Sequence, residues 1–102
     1  MENTIYGLSP FMDAEDRLTA LPAKNRKKLA ALWYLAGKLE PGRRCTEAEI
    51  NDLLDSWTLF HDPASLRREM YNRHLLDRTS DGSLYWKELP VPALDEFIEK
   101  CI

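Results

Sequence analysis

The chain has 102 residues, 44% of them hydrophobic and 30% charged. That balance excludes a disordered tail and fits one small globular domain with a single core. A net charge of −3 and a pI near 5.4 lower the expectation of strong autonomous binding to nucleic acid, where a basic excess supplies most of the affinity.

Residues 1–23 read as an N-terminal arm or hairpin packing on the core. Phe11, Met12, Leu18 and Leu21 are apolar points around an acidic link at 13–16. A short hairpin and a first helical turn after Ser9-Pro10 both account for them. Pro22 ends the segment and pushes Leu21 toward an extended conformation.

Residues 24–39 form the clearest helix. Leu29, Leu32, Trp33 and Ala36, then Leu39 or Glu40, follow the i, i+3, i+4, i+7 rule. Lys24, Arg26, Lys27 and Lys28 crowd its first turn, where the helix dipole favours negative charge. A local rule broken in this way marks either a binding surface or a solvated face. Glu40-Pro41-Gly42 stops the helix, and Arg43-Arg44-Cys45 is an extended link or a minimal strand.

Thr46 opens a capping box with Glu49. The helix it starts has Ile50, Leu53, Leu54 and Trp57 inside and Glu47, Glu49, Asp52 and Asp55 outside. Asp62 and Pro63 are a favoured N-cap and first position for a third helix. With Leu66 at the centre of its inward face, Pro63 and Met70 also point in. Ala64, Arg68, Tyr71 and Asn72 then point out, with Arg67 on the flank. A hairpin follows, residues 75–78 and 84–86 around a turn holding Asp81-Gly82. Residues 89–102 read as a proline-bounded link and a short helical extension with Leu94, Phe97 and Ile98 inward.

These elements predict a mainly α fold with a small β-hairpin (α+β). The order helix, short strand, helix, helix, hairpin makes residues 24–88 a winged helix-turn-helix-like core. A three-helix bundle with an appended hairpin is the alternative.

Two runs, "LPAKNRKKLAALWYLAGKLEPGRRCTEAEINDLL" and "FHDPASLRREMYNRHLLDRTSDGSLYWK", resemble the bacterial domain-of-unknown-function family 2087 over roughly residues 11–87. The shared features are a Pro-Ala-Lys entry to a basic helix, a Pro-Gly-Arg link, a Thr-Glu capped helix, a Leu-Arg-Arg helix and a Leu-Leu-Asp-Arg hairpin tipped by Asp-Gly. The resemblance implies a role in gene regulation, since members stand alone or are appended to helix-turn-helix regulators. It implies no catalytic residues. Cys45 stands where an aromatic residue is usual. Asp16 stands where glycine is expected in an N-terminal hairpin, which argues against a tight turn there.

The outer face of the third helix mixes small, basic, aromatic and amide side chains suited to a DNA groove. The candidate DNA-binding residues are therefore Lys24, Lys27, Lys28, Ser65, Arg67, Arg68, Tyr71, Asn72 and Arg78. Arg67 has a second reading, as a structural partner for an acid such as Asp52, Asp55 or Asp77, and the same two readings stand for Arg68. Arg78 reaches either a phosphate or, across the strands, Tyr85 or an acid. In the wing, Asp77 and Asp81 oppose Arg78, a balance that would grip phosphate poorly. His61 and His74 are single imidazoles, too few for a metal site; His74 is expected to meet the last carbonyls of the third helix.

No metal, cofactor or catalytic constellation is expected, and the protein reads as a non-enzyme. Cys45 and Cys101 are expected as free thiols of a reducing cytosol. No apolar run approaches the ~20 residues of a membrane span, and no basic-then-apolar leader opens the chain, so a cytoplasmic protein is expected. Two functions fit. One is a transcriptional regulator that binds DNA weakly or as a dimer. The other is a protein-interaction or sensor module of the same shape, with itself or a regulator protein as partner and no DNA.

Overall fold

The computed structural model describes residues 7–101; residues 1–6 of the expected arm, and residue 102, lie outside them. Among the described residues the fold is mainly α with one small antiparallel hairpin. The helices are α1 (Asn25–Ala36), α2 (Glu47–Ser56), α3 (Pro63–Asn72) and α4 (Leu94–Cys101), and the strands are β1 (Leu76–Arg78) and β2 (Tyr85–Lys87). Among the described residues no helix is long and apolar enough to cross a membrane.

The middle of α1 is buried on most of its circumference. Leu29, Ala30, Ala31, Leu32, Leu35 and Ala36 are all inaccessible, because α3 and α4 both pack against it. A helix enclosed in this way has no single stripe, which is why the spacing rule misses Leu35. The helix also ends three residues before the expected stop. Gly37 is its C-cap, and the Lys38 and Leu39 N–H groups bond back three residues to Leu35 and Ala36. That tighter turn tucks Leu39 inward at 5% exposure and lays the Lys38 ammonium 4.0 Å from the Trp57 ring centroid.

Thr46 and Glu49 close the capping box of α2 in both directions, and Asp62 caps α3 with Pro63 at its first position. Ile50 and Leu54 of α2 face Leu66 and Met70 of α3 across the core. Cys45, between α1 and α2, is a minimal strand. It exchanges both backbone hydrogen bonds with Tyr85, at 2.8 and 2.7 Å, and so adds a third strand position to the hairpin.

The N-terminal segment combines both of its sequence alternatives. A 3-10 turn, Ser9–Phe11, follows Leu8, and a tight reversal then pairs Met12 with Leu18. The reversal contradicts the expectation drawn from Asp16. That residue adopts φ 64, a left-handed conformation that aspartate tolerates better than most residues. Asp13 fixes the turn by accepting the Arg17 and Glu15 N–H groups and the Arg17 guanidinium. Those bonds, the Arg17 N–H first, hold its carboxyl below the ordinary carboxylate range. Leu18 then bonds Trp57 and Leu59 and is fully buried.

His74 corrects a second expectation. It sits at φ 63 just past α3, and its ring lies 3.7 Å from Glu88 rather than on the helix carbonyls. Backbone N–H groups already serve the last carbonyls: Arg73, His74 and Leu75 donate to Glu69, Tyr71 and Met70.

Candidate nucleic-acid interface

The outer face of α3 and the hairpin meet in an open groove of about 370 Å³. Arg67, Arg68, Tyr71 and Asn72 line it from α3, and Arg78 and Tyr85 line it from the strands. Helical spacing brings the first four together, since residues three and four apart share a face. The hairpin register places Arg78 opposite Tyr85, so both project from one side of the ribbon.

Among the described residues three guanidiniums and no carboxylate line this groove. Arg67 is the most enclosed, its side chain 13% exposed. It donates through Nη1 to the Asn51 side-chain oxygen, its Nη2 lies 3.6 Å from Glu47 Oε2, and its plane lies 5.6 Å over the Tyr85 ring. The acid partner is Glu47 on α2, with an amide beside it, in place of the expected Asp52, Asp55 or Asp77. Arg78 is the cross-strand partner of Tyr85, as one reading expected, and its guanidinium stacks over Tyr71 at 5.0 Å. Arg68 is exposed and makes no ion pair, hydrogen bond or ring contact among the described residues.

The two hairpin acids do not oppose Arg78. Asp77 Oδ1 accepts the Arg78 N–H. Asp81 accepts from the Thr79 hydroxyl and from the Ser83 N–H and hydroxyl, all within the turn. The Thr79 and Ser83 hydroxyls hold its carboxyl down at about 2. The balance of charges counted along the sequence is therefore not the balance facing the groove.

The other candidates lie elsewhere. Lys24 is the exposed N-cap of α1. Lys27 lies 6.0 Å over the Phe11 ring with its stem against Gly7. Lys28 pairs with Glu69 of α3 at 3.4 Å. Ser65 is half-buried in the first turn of α3, where its N–H is used by the Asp62 cap. Tyr85 and the supporting residue Asn51 were not among the candidates. The hairpin register points to Tyr85; nothing in the sequence distinguishes Asn51 from any polar residue of α2.

A fork of guanidinium donors matches phosphate oxygens and guanine edges, an amide matches adenine, and an aromatic face takes a sugar or a base. Among the described residues no group of three or more His, Cys, Asp or Glu side chains converges to hold a metal, and both cysteines are free thiols. No curated protein and no solved structure matches the chain. Residues 17–87 match DUF2087, described as an uncharacterized protein conserved in bacteria, and the chain belongs to that family.

Proposed function

We propose that this is a small winged-helix protein that binds duplex DNA in gene regulation, with α3 as its recognition helix and the hairpin as its wing. The groove of three arginines with no lining carboxylate carries the reading, because a local cationic face can bind phosphate on a protein of acidic total charge. The single strand position at Cys45, between α1 and α2, agrees with the winged order. In this arrangement Arg68 and Asn72, four residues apart on the outer face, approach base edges, and Arg78 approaches the flanking phosphate. Arg67, held by α2, keeps the floor of the groove in shape.

The test is titration of a labelled random-sequence duplex at two low salt concentrations, using the wild-type protein, Arg68→Ala and Arg78→Ala. Affinity should fall steeply with salt, and each variant should lower the log–log slope by about one. No binding by wild type at low salt overturns the proposal. The net charge of −3 and the acids of α2 favour a second reading, an interaction or sensor module without DNA; that reading gains if the same titration is flat.

A further inference from the structure

On the other side of Asn72 lies a second depression, about 490 Å³ in volume. Its walls are the end of α3 (Asn72, Arg73), His74, the link after β2 (Glu88, Pro90, Pro92) and α4 (Phe97, Lys100, Cys101). We propose that this trench binds a small organic carboxylate with an apolar body. The inference stands apart from the DNA reading and survives its failure.

The volume falls within the range of small-molecule sites, and the lining sets Pro90, Pro92, Phe97 and Cys101 beside polar and charged groups. Phe97, 2% exposed, forms the apolar floor, and Pro90, Pro92 and the Cys101 side chain complete it. Among the described residues two fixed cations stand at the walls, Arg73 and Lys100, against one carboxylate, Glu88, which already faces the His74 ring at 3.7 Å.

Arg73 is incompletely neutralised. Its Nη2 lies 3.5 Å from Glu69 Oε1, while the other oxygen of the same carboxylate serves Lys28 at 3.4 Å. One anion is shared between two cations. The Arg73 Nε is buried without an acceptor, and a buried donor left unpaired is rare and unfavourable. A small rotation of the guanidinium toward the trench would let a bound carboxylate take two of its donors side by side. Lys100, in the last turn of α4, supplies a second charge at the rim.

The protein contains its own reporter. The Trp33 indole N–H donates to the Pro92 carbonyl at 2.9 Å, and Pro92 lines the trench, so occupancy should move the Trp33 indole resonance in a ¹⁵N-resolved spectrum. The probes are phenylacetate and phenethylamine, of similar shape and opposite charge. Phenylacetate should shift the Trp33 signal saturably and leave the Trp57 and Trp86 indoles in place, whereas phenethylamine should not. Lys100→Glu, an exposed change that keeps the fold, should weaken phenylacetate about tenfold by reversing a nearby charge. Arg73→Gln should abolish the shift, with a melt confirming that the variant is folded. The proposal is overturned if phenylacetate leaves Trp33 unmoved, if phenethylamine binds as well, or if Lys100→Glu binds phenylacetate unchanged.

Discussion

Arg67 of α3 and Asn51 of α2, sixteen positions apart, are joined by a hydrogen bond from the guanidinium to the side-chain oxygen. With Glu47 on the same guanidinium and the Tyr85 ring beneath it, Arg67 ties two helices and the hairpin together. Its neighbour Arg68 touches none of them. Adjacent arginines therefore have different work, and substitution separates them. Arg67→Ala leaves a largely buried amide without its donor and should cost about 2 kcal/mol, near the middle of the range for hydrogen bonds to charged groups. Arg68→Ala should stay within about 0.5 kcal/mol, as exposed positions do. Urea unfolding of the two variants gives both numbers. Equal losses would refute the division of roles.

The α2 capping box offers a second, local test. Thr46 accepts the Glu49 N–H at 3.2 Å, and its own N–H is accepted by Glu49 Oε1 at 2.8 Å. Thr46→Ala removes one bond and slackens the other, and should cost about 1 kcal/mol. Thr46→Ser keeps the hydroxyl and should recover most of the loss in the same unfolding assay.

Such features were legible in the sequence because their physics is local. The capping box, the Asp62-Pro63 start of α3, the hairpin at Asp81-Gly82 and the inward stripe of α4 each depend on residues a few positions apart. The outward placement of Arg68, Tyr71 and Asn72 follows from helical period alone. What stayed hidden depends on distant partners. Leu35 is buried only because α1 is covered by two other helices. Arg67 meets Asn51 only once α2 and α3 pack. Asp81 counts as a wing charge in the sequence, yet its carboxylate is absorbed by Thr79 and Ser83. At Asp16 the glycine preference of a tight turn is no requirement, because the Asp13–Arg17 bonds hold an aspartate at φ 64.

Asp81 should respond to acid. Bonds from the Thr79 and Ser83 hydroxyls lower its pKa from 3.8 to about 2. A group depressed in the folded state adds stability above its unfolded pKa and loses it as pH falls through the folded one. Here that window runs from just above 3.8 down to about 2. The Ser83 amide resonance should move through this range and report the turn loosening. Asp81→Asn should remove the transition. A Ser83 resonance that titrates with a midpoint at the ordinary carboxylate value would show that the turn bonds are absent.

Leu18 tests whether the N-terminal segment is part of the core. It is fully buried and joined by backbone bonds of 2.9 and 2.8 Å to Trp57 and Leu59. Leu18→Ala should cost about 2–5 kcal/mol, the range for deleting a buried leucine side chain. Against a total of roughly 5–15 kcal/mol for a domain, the variant should be visibly less stable. A loss under about 1 kcal/mol, small for a leucine-to-alanine change in a core, would mean that the segment packs loosely on an independent core.

The cations of α1 and those of the α3–hairpin groove should differ in kind. Lys28 shares Glu69 with Arg73, and Lys27 lies along Phe11 and Gly7, so their charges are already engaged in the fold. Arg68 and Arg78 face a groove with no carboxylate. If DNA lies in that groove, Arg68→Ala and Arg78→Ala reduce the salt slope of binding, while Lys28→Ala leaves the slope unchanged. Lys28→Ala should instead cost about 0.5 kcal/mol of stability, as a partly exposed ion pair does. The slope for each variant, measured beside its melt, decides the matter. A slope lowered by Lys28→Ala and untouched by Arg68→Ala would move the DNA from the α3 groove to the first turn of α1.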